Sequence, residues 1–140
     1  MPLAKATPRV FCNSEYMDYE MDASVTIFEG AFVGLNAGYA RPLQAGDTFL
    51  GVATETKTNG ATAGEKTINV ATTRPFMMPV TGVTDVTSLT LPVYASADDA
   101  LTLTEGTNSL VGIIIGYESG STCMIQPILG SKEVYTDLST

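Results

Sequence analysis

The sequence predicts an all-β chain, a small β-barrel or sandwich of short antiparallel strands with a weak internal repeat and an extended N-terminal arm. Three observations lead there. About ten short apolar or alternating runs are punctuated by Gly, Asn, Asp and Pro, and no stretch keeps helical periodicity for three turns. The twenty threonines suit a pleated, half-wet surface and disfavour helices, where a branched Cβ loses rotamer freedom. The stretch Phe28 to Ala53 shares its punctuation with a second stretch about sixty positions later: Val93 stands for Val33, Gly106 for Gly46 and Gly112 for Gly51. Each copy then passes a polar, glycine-bearing turn into an alternating run, KTINVAT in the first and TCMIQPI in the second. Two β units sharing one core are the expected result.

The first residues, 1–16, carry two prolines and no clear periodicity and read as an extended arm. From Met17 the pattern becomes strictly alternating. Met17, Tyr19, Met21, Ala23, Val25 and Ile27 interleave with Asp18, Glu20, Asp22, Ser24 and Thr26, which a strand separates onto two faces and a helix would mix. A half-buried strand over 17–27 is predicted, its acidic side solvated. Strands at Ala31 to Leu35, Tyr39 to Leu43 and Thr48 to Thr54 follow, separated by Asn36-Ala37-Gly38 and Ala45-Gly46-Asp47, with Pro42 marking an edge. Residues 54–65, TETKTNGATAGE, read as a mobile surface loop. Further strands are expected at Thr67 to Ala71, Pro75 to Val80, Leu89 to Tyr94, Ala100 to Thr104, Leu110 to Tyr117 and Cys123 to Leu129. Leu110 to Tyr117 is the most apolar and belongs at a sheet centre; 81–90 is a linker. The body thus spans 17–130, with 131–140 a short tail.

Fifteen acidic residues against seven basic ones give a net charge of −8, which repels a phosphate backbone, so no nucleic-acid partner is expected. No membrane partner is expected either: the longest apolar run, Leu110 to Ile115, is far too short to cross a bilayer, and the first residues lack the apolar core of an export signal. Cys12 and Cys123 stand far apart without metal-ligand spacing and read as two reduced thiols.

The chain contains no histidine, which removes the commonest general base and metal ligand together with Ser/His/Asp and Cys/His nucleophile systems. Asp98, Asp99 and Glu105 form the closest set of carboxylates, but they flank turns, where such residues serve the backbone. The string GDTFLGVATETK is similar to the hairpin of lipoyl and biotinyl carrier domains, with Lys57 as the modified lysine; Thr56 replaces the acidic residue expected before it. The reading is therefore not an enzyme, with no catalytic residues, no cofactor and no metal.

The stretches EGAFVGLN, AGDTFLGVATE, PFMMPV and, above all, ALTLTEGTNSLVGIIIGYESGSTCMIQPI resemble the capsid decoration, or cement, proteins of tailed bacteriophages, the small β-barrel type. In that family the last block is a strand, a Gly/Asn turn, a Leu-Val-Gly-hydrophobic strand, a small-residue turn and a closing strand, an order that Leu101 to Ile128 follows. The segment before Val25 is longer and more acidic than the family pattern, and 81–90 is fuller. The resemblance implies a structural virion protein made in the host cytoplasm and seated on the exterior of the assembled head. Its partners would be the major capsid protein and itself, as a homotrimer. Phe11, Tyr16 and Tyr19, aromatics in or next to the arm, are the candidate capsid-binding residues, because aromatic anchors are favoured in interfaces and an extended arm can add a strand to a sheet edge. The alternative is a host-surface or glycan-binding module of the head-fibre or adhesin kind, which shares the acidic, Thr-rich, all-β composition.

Overall fold

The computed structural model describes residues 5–6 and 15–128. Among them, twelve strands run in the order β1 (Tyr16–Glu20), β2 (Thr26–Ile27), β3 (Phe32–Asn36), β4 (Tyr39–Pro42), β5 (Thr48–Ala53), β6 (Lys57–Thr58), β7 (Thr67–Ala71), β8 (Phe76–Pro79), β9 (Pro92–Ala97), β10 (Ala100–Thr102), β11 (Ser109–Ser119) and β12 (Thr122–Pro127). A 3-10 turn at Val86–Ser88 separates β8 from β9, its first turn capped by Asp85. One five-stranded sheet has the order β1-β7-β5-β3-β4, a second the order β10-β9-β11-β12-β8, and β2 pairs with β6 as a two-stranded ribbon. The chain is all-β, and none of its three antiparallel sheets closes into a barrel.

The two large sheets repeat one plan. Reading each from its hairpin, β4-β3-β5-β7-β1 becomes β10-β9-β11-β12-β8, so a first unit (β1 to β7) and a second (β8 to β12) have equivalent strands in equivalent places. The match extends to register. Val33 pairs with Gly51 and Gly34 with Phe49, leaving Leu50 as an extra bulged residue; Val93 pairs with Gly112 and Tyr94 with Leu110, leaving Val111 as the extra one. Both bulges set a glycine hard against the strand that follows. A Cβ on Gly51 would lie 2.4 Å from the Ala71 carbonyl oxygen, and one on Gly112 would lie 2.1 Å from that of Gln126. No side chain fits at either distance, which is the physical reason for the two glycines that mark the repeat.

Each sheet also curls until its ends touch. Asp22 donates its amide to the Ala40 carbonyl (2.8 Å), making a parallel bridge at Met21 and Ala40; Thr81 does the same to Leu101 (3.0 Å), bridging to Thr102. One bridge per unit is too little to close a ladder.

The expectation of one shared core is corrected, since two clusters form. The first unit gathers Met21, Ile27, Val33, Ala40, Leu50, Ala53, Ile68 and Val70, with the ribbon residue Ile27 over it. The second gathers Val93, Ala95, Leu101, Val111, Ile114, Cys123 and Ile125, and is completed by Phe32, Leu43 and Phe49 from the first unit. Phe32 and Phe49 meet edge to face with centroids 5.8 Å apart. On β3 and β5, Phe32 and Phe49 therefore face the second unit, while their neighbours Val33 and Leu50 face the first unit's own core.

Three local expectations change as well. The alternating stretch 17–27 is not one strand: β1 ends at Glu20, a turn with Ser24 at φ 57° intervenes, and β2 pairs with β6. Alternation persists across the turn because Met21, Val25 and Ile27 all pack on the same cluster. The stretch 54–65 is not a free loop, since it contributes β6 and the buried Asn59. The stretch 81–90 contains the 3-10 turn, and β9 starts later than expected, at Pro92. The edge position of β4 and the inner position of β11 are as expected.

Candidate contact surfaces

Residues 15–20 hold two of the three candidate anchors. Strand β1 lies at the end of its sheet, hydrogen-bonded along one side to β7. Its start is clamped to the junction between the units: Thr72 donates its amide to the Glu15 carbonyl at 2.9 Å, and the Arg74 guanidinium reaches the Glu15 carboxylate at 3.2 Å. The same guanidinium stacks over the Tyr16 ring, 5.7 Å from its centroid, and donates to the Tyr16 hydroxyl. The bond to the Tyr16 hydroxyl first, and the Glu15 carboxylate beside it, raise the Arg74 pKa, so this cation keeps its charge.

The candidate residues do not form one surface. Tyr16 is exposed (42 %) and shares its face of the sheet with Ala71. Tyr19 falls on the opposite face, opposite Ile68, and packs against the first unit's core, where burial raises its phenol pKa. Phe11 lies outside the described residues, as do Cys12 and the tail 131–140.

Beyond Tyr16 the exposed side of β1 is polar and cross-linked. Asn69 on β7 donates to Asp18 (2.9 Å) and accepts from the Thr54 hydroxyl (2.6 Å), and its amide donates to Glu55 (3.0 Å). Underneath, Asn59 is 4 % exposed: its Nδ2 donates to the carbonyls of Met21, Asp22 and Thr62, and its Oδ1 accepts from the Lys66 amide. Asn59 therefore fastens the connection 54–66 over the first unit. Sequence reading took residues 54–65 as a mobile surface loop and missed this role, because nothing local separates a loop asparagine from one whose partners lie far off in the chain.

The remaining chemical candidates are placed as follows. Lys57 lies inside β6, opposite Ile27 and 3.5 Å from Glu55, and not at a hairpin tip. Asp98 and Asp99 form the β9–β10 turn, where the Asp98 carbonyl accepts from the Phe32 amide at 2.8 Å and so joins the two units. Cys123 is an unpaired thiol on the inner face of β12, its pKa raised by burial. No cluster of three or more His, Cys, Asp or Glu side chains with metal-binding geometry occurs among the described residues.

On the outer face of the second sheet the picture reverses. Met77 and Met124 are register partners, exposed by 43 % and 40 %, between neighbours that point into the core. Ile115, 50 % exposed, is bulged out of the β11–β12 ladder beside them. The bulge sits where Ile114 bonds sideways to Thr90 and Leu91, with Thr90 held at φ 72°, a strained conformation for a β-branched residue. No family model matches the chain, and neither a curated protein nor a solved structure matches it.

Proposed function

We propose that the chain is a structural, non-enzymatic adhesion protein that coats the exterior of an assembled phage head and ties neighbouring major capsid subunits together. The observation that carries the reading is the placement of β1. It is an end strand with an exposed aromatic at its start, continuous with the segment that precedes it, and anchored to the rest of the fold by Arg74 and Thr72. Ahead of the bridge that ties Met21 to Ala40, such an edge suits strand addition, in which main-chain hydrogen bonds supply affinity and side chains supply selectivity. The order that carried the resemblance also supports it, because Ala100 to Ile128 forms β10, β11 and β12 in the expected succession. Many copies acting together give a decorated shell avidity without a tight single site.

The test is sedimentation of purified chain with heads of the parent virus that lack it. Wild-type protein is expected to saturate the heads at fixed stoichiometry and raise their melting temperature. A chain lacking residues 1–14 is expected to fold and fail to decorate. If the shortened chain saturates heads like the full one, strand addition through the arm is wrong; if the full chain leaves heads bare and binds cells or sugars, the adhesin alternative replaces the proposal.

A further inference from the structure

We infer that the outer face of the second sheet, centred on Met77, Met124 and Ile115, is a second docking surface, and that it takes a protein surface with an apolar centre and a basic rim. The inference rests on the shell-binding reading above and names which part of the second unit meets the shell. The internal repeat supplies its own control. By strand register Met77 is the counterpart of Asp18 and Met124 the counterpart of Asn69. In the first unit that pair faces water and is a hydrogen-bonded Asp–Asn couple. In the second it is a methionine couple at the same position of the same sheet plan, both members exposed, with no polar group to hydrate.

Consecutive apolar residues on a strand mean that both faces are meant to be covered. Phe32-Val33 and Phe49-Leu50 obey this: one member of each pair faces either cluster. Phe76-Met77-Met78 and Ile113-Ile114-Ile115 carry the same two-sided pattern, yet among the described residues Phe76, Met78 and Ile114 pack on the core while Met77 and Ile115 stay exposed. Methionine, unbranched and polarizable, is suited to such an adaptable contact.

Charge decides between a second copy and a different partner. From Phe76 to Ile128 the sequence has five acidic residues (Asp85, Asp98, Asp99, Glu105 and Glu118) and no lysine or arginine. Glu118 is exposed, two residues beyond Gly116, which is itself the register partner of Met124. The nearest cation along the chain, Arg74, is engaged by Glu15 and Tyr16. Two copies meeting through this face would bring acid against acid, whereas a basic rim on the partner is complementary.

The test transplants the first unit's pair into the second: Met77→Asp with Met124→Asn in the full-length chain, assayed for binding to the same undecorated heads. The double variant is expected to melt within a few degrees of wild type and to bind at least tenfold more weakly. Ile115→Lys, a single exposed change that opposes the basic rim, should weaken binding likewise, and Thr107→Asp, which adds charge in a turn away from the patch, should not. Wild-type affinity should fall as salt rises. Unchanged binding by a folded double variant and by Ile115→Lys overturns the inference while leaving the shell reading intact. Variants that lose an oligomer yet still bind heads would assign the patch to a second copy and also overturn it, and salt-independent binding would overturn the basic rim. Heads left bare by wild type remove the shell reading and this inference with it.

Discussion

The two halves of this chain use one strand plan and solve the same packing problem in different ways. In the first, β5 is six residues long and the connection 54–66 folds back as β6, so that the ribbon and Ile27 cover the core from within the unit. In the second, β11 runs for eleven residues to a tight turn at Gly120-Ser121 and the corresponding flap is missing. Its core takes in Val80 and Val83 from the stretch after β8 and is closed by Phe32, Leu43 and Phe49, side chains that belong to the first half. Dependence is therefore one-way: the first unit carries its own lid, and the second borrows one.

The strongest way to break this comparison is to overfill the equivalent bulges. Gly51→Ala and Gly112→Ala each force a methyl into a backbone carbonyl, and Gly51 also sits at φ 145°, where an L side chain is strained. Each substitution should cost about 3 kcal/mol or more, measured by chemical denaturation. The consequences should differ in native-state hydrogen exchange. Gly51→Ala loosens the unit that supplies the borrowed lid, so β3, β5, β11 and β12 should all lose protection. Gly112→Ala should lower protection in β9, β11 and β12 while Ile68 and Val70 on β7 stay protected. Equal loss in both units for both variants would show that the halves unfold as one body.

Much of this plan was legible in the sequence, for identifiable reasons. The glycines at 51 and 112 announced the repeat because a bulge pressed on a carbonyl tolerates nothing else, and such a constraint survives when the surrounding side chains have diverged. Pro42 announced an edge because it has no amide to give to a ladder. The lid was hidden. The alternation from Met17 to Ile27 reports which side of the chain is wet, and that side does not change when the chain turns at Ser24 and pairs with a new partner. Asn59 was hidden too, since its partners lie as far as 38 positions away. The separation of the two cores could have been read from the doublets Phe32-Val33 and Phe49-Leu50, which no one-sided sheet would carry. Of the candidate anchors, Tyr16 was found at an exposed edge, whereas the inward orientation of Tyr19 was already carried by the alternation that groups it with Met17 and Met21, and an i, i+3 pair on a strand cannot share a face.

The lid itself offers the next test. Asn59→Ala removes three donated bonds and one accepted bond at a buried position, leaving the carbonyls of Met21 and Asp22 without this partner. A loss of about 2–3 kcal/mol is expected, from unsatisfied buried groups more than from packing. Exchange at the Lys66 amide and across the β2–β6 ribbon should rise first, with the β11–β12 hairpin little affected. A variant in which the hairpin opens as readily as the ribbon would contradict the view that the first unit's lid is its own.

The smallest effect separates the two closing bridges by pH. Asp22 accepts from the Asn36 side chain at 2.9 Å and from the Ala23 amide at 2.8 Å, and these two bonds, helped by the charge of Arg41, hold its pKa below the ordinary carboxylate value. A depressed pKa in the folded state adds stability above the ordinary carboxylate range, and that contribution disappears as the pH falls through the folded value. The amide of the same residue makes the Ala40 bridge, so acid should loosen the closure of the first unit. The equivalent bridge of the second unit is made by Thr81, which does not titrate in this range. That unit's own depressed carboxylate, Asp85, caps the 3-10 turn through Thr87 and leaves the bridge alone. Acid titration followed by amide exchange should therefore release the Asp22 amide before the Thr81 amide, and Asn36→Ala, by removing the leading donor, should move the Asp22 midpoint upward. Simultaneous release of both amides, or an Asp22 midpoint unmoved by Asn36→Ala, would mean that the bridge is held by the strands on either side and not by the carboxylate.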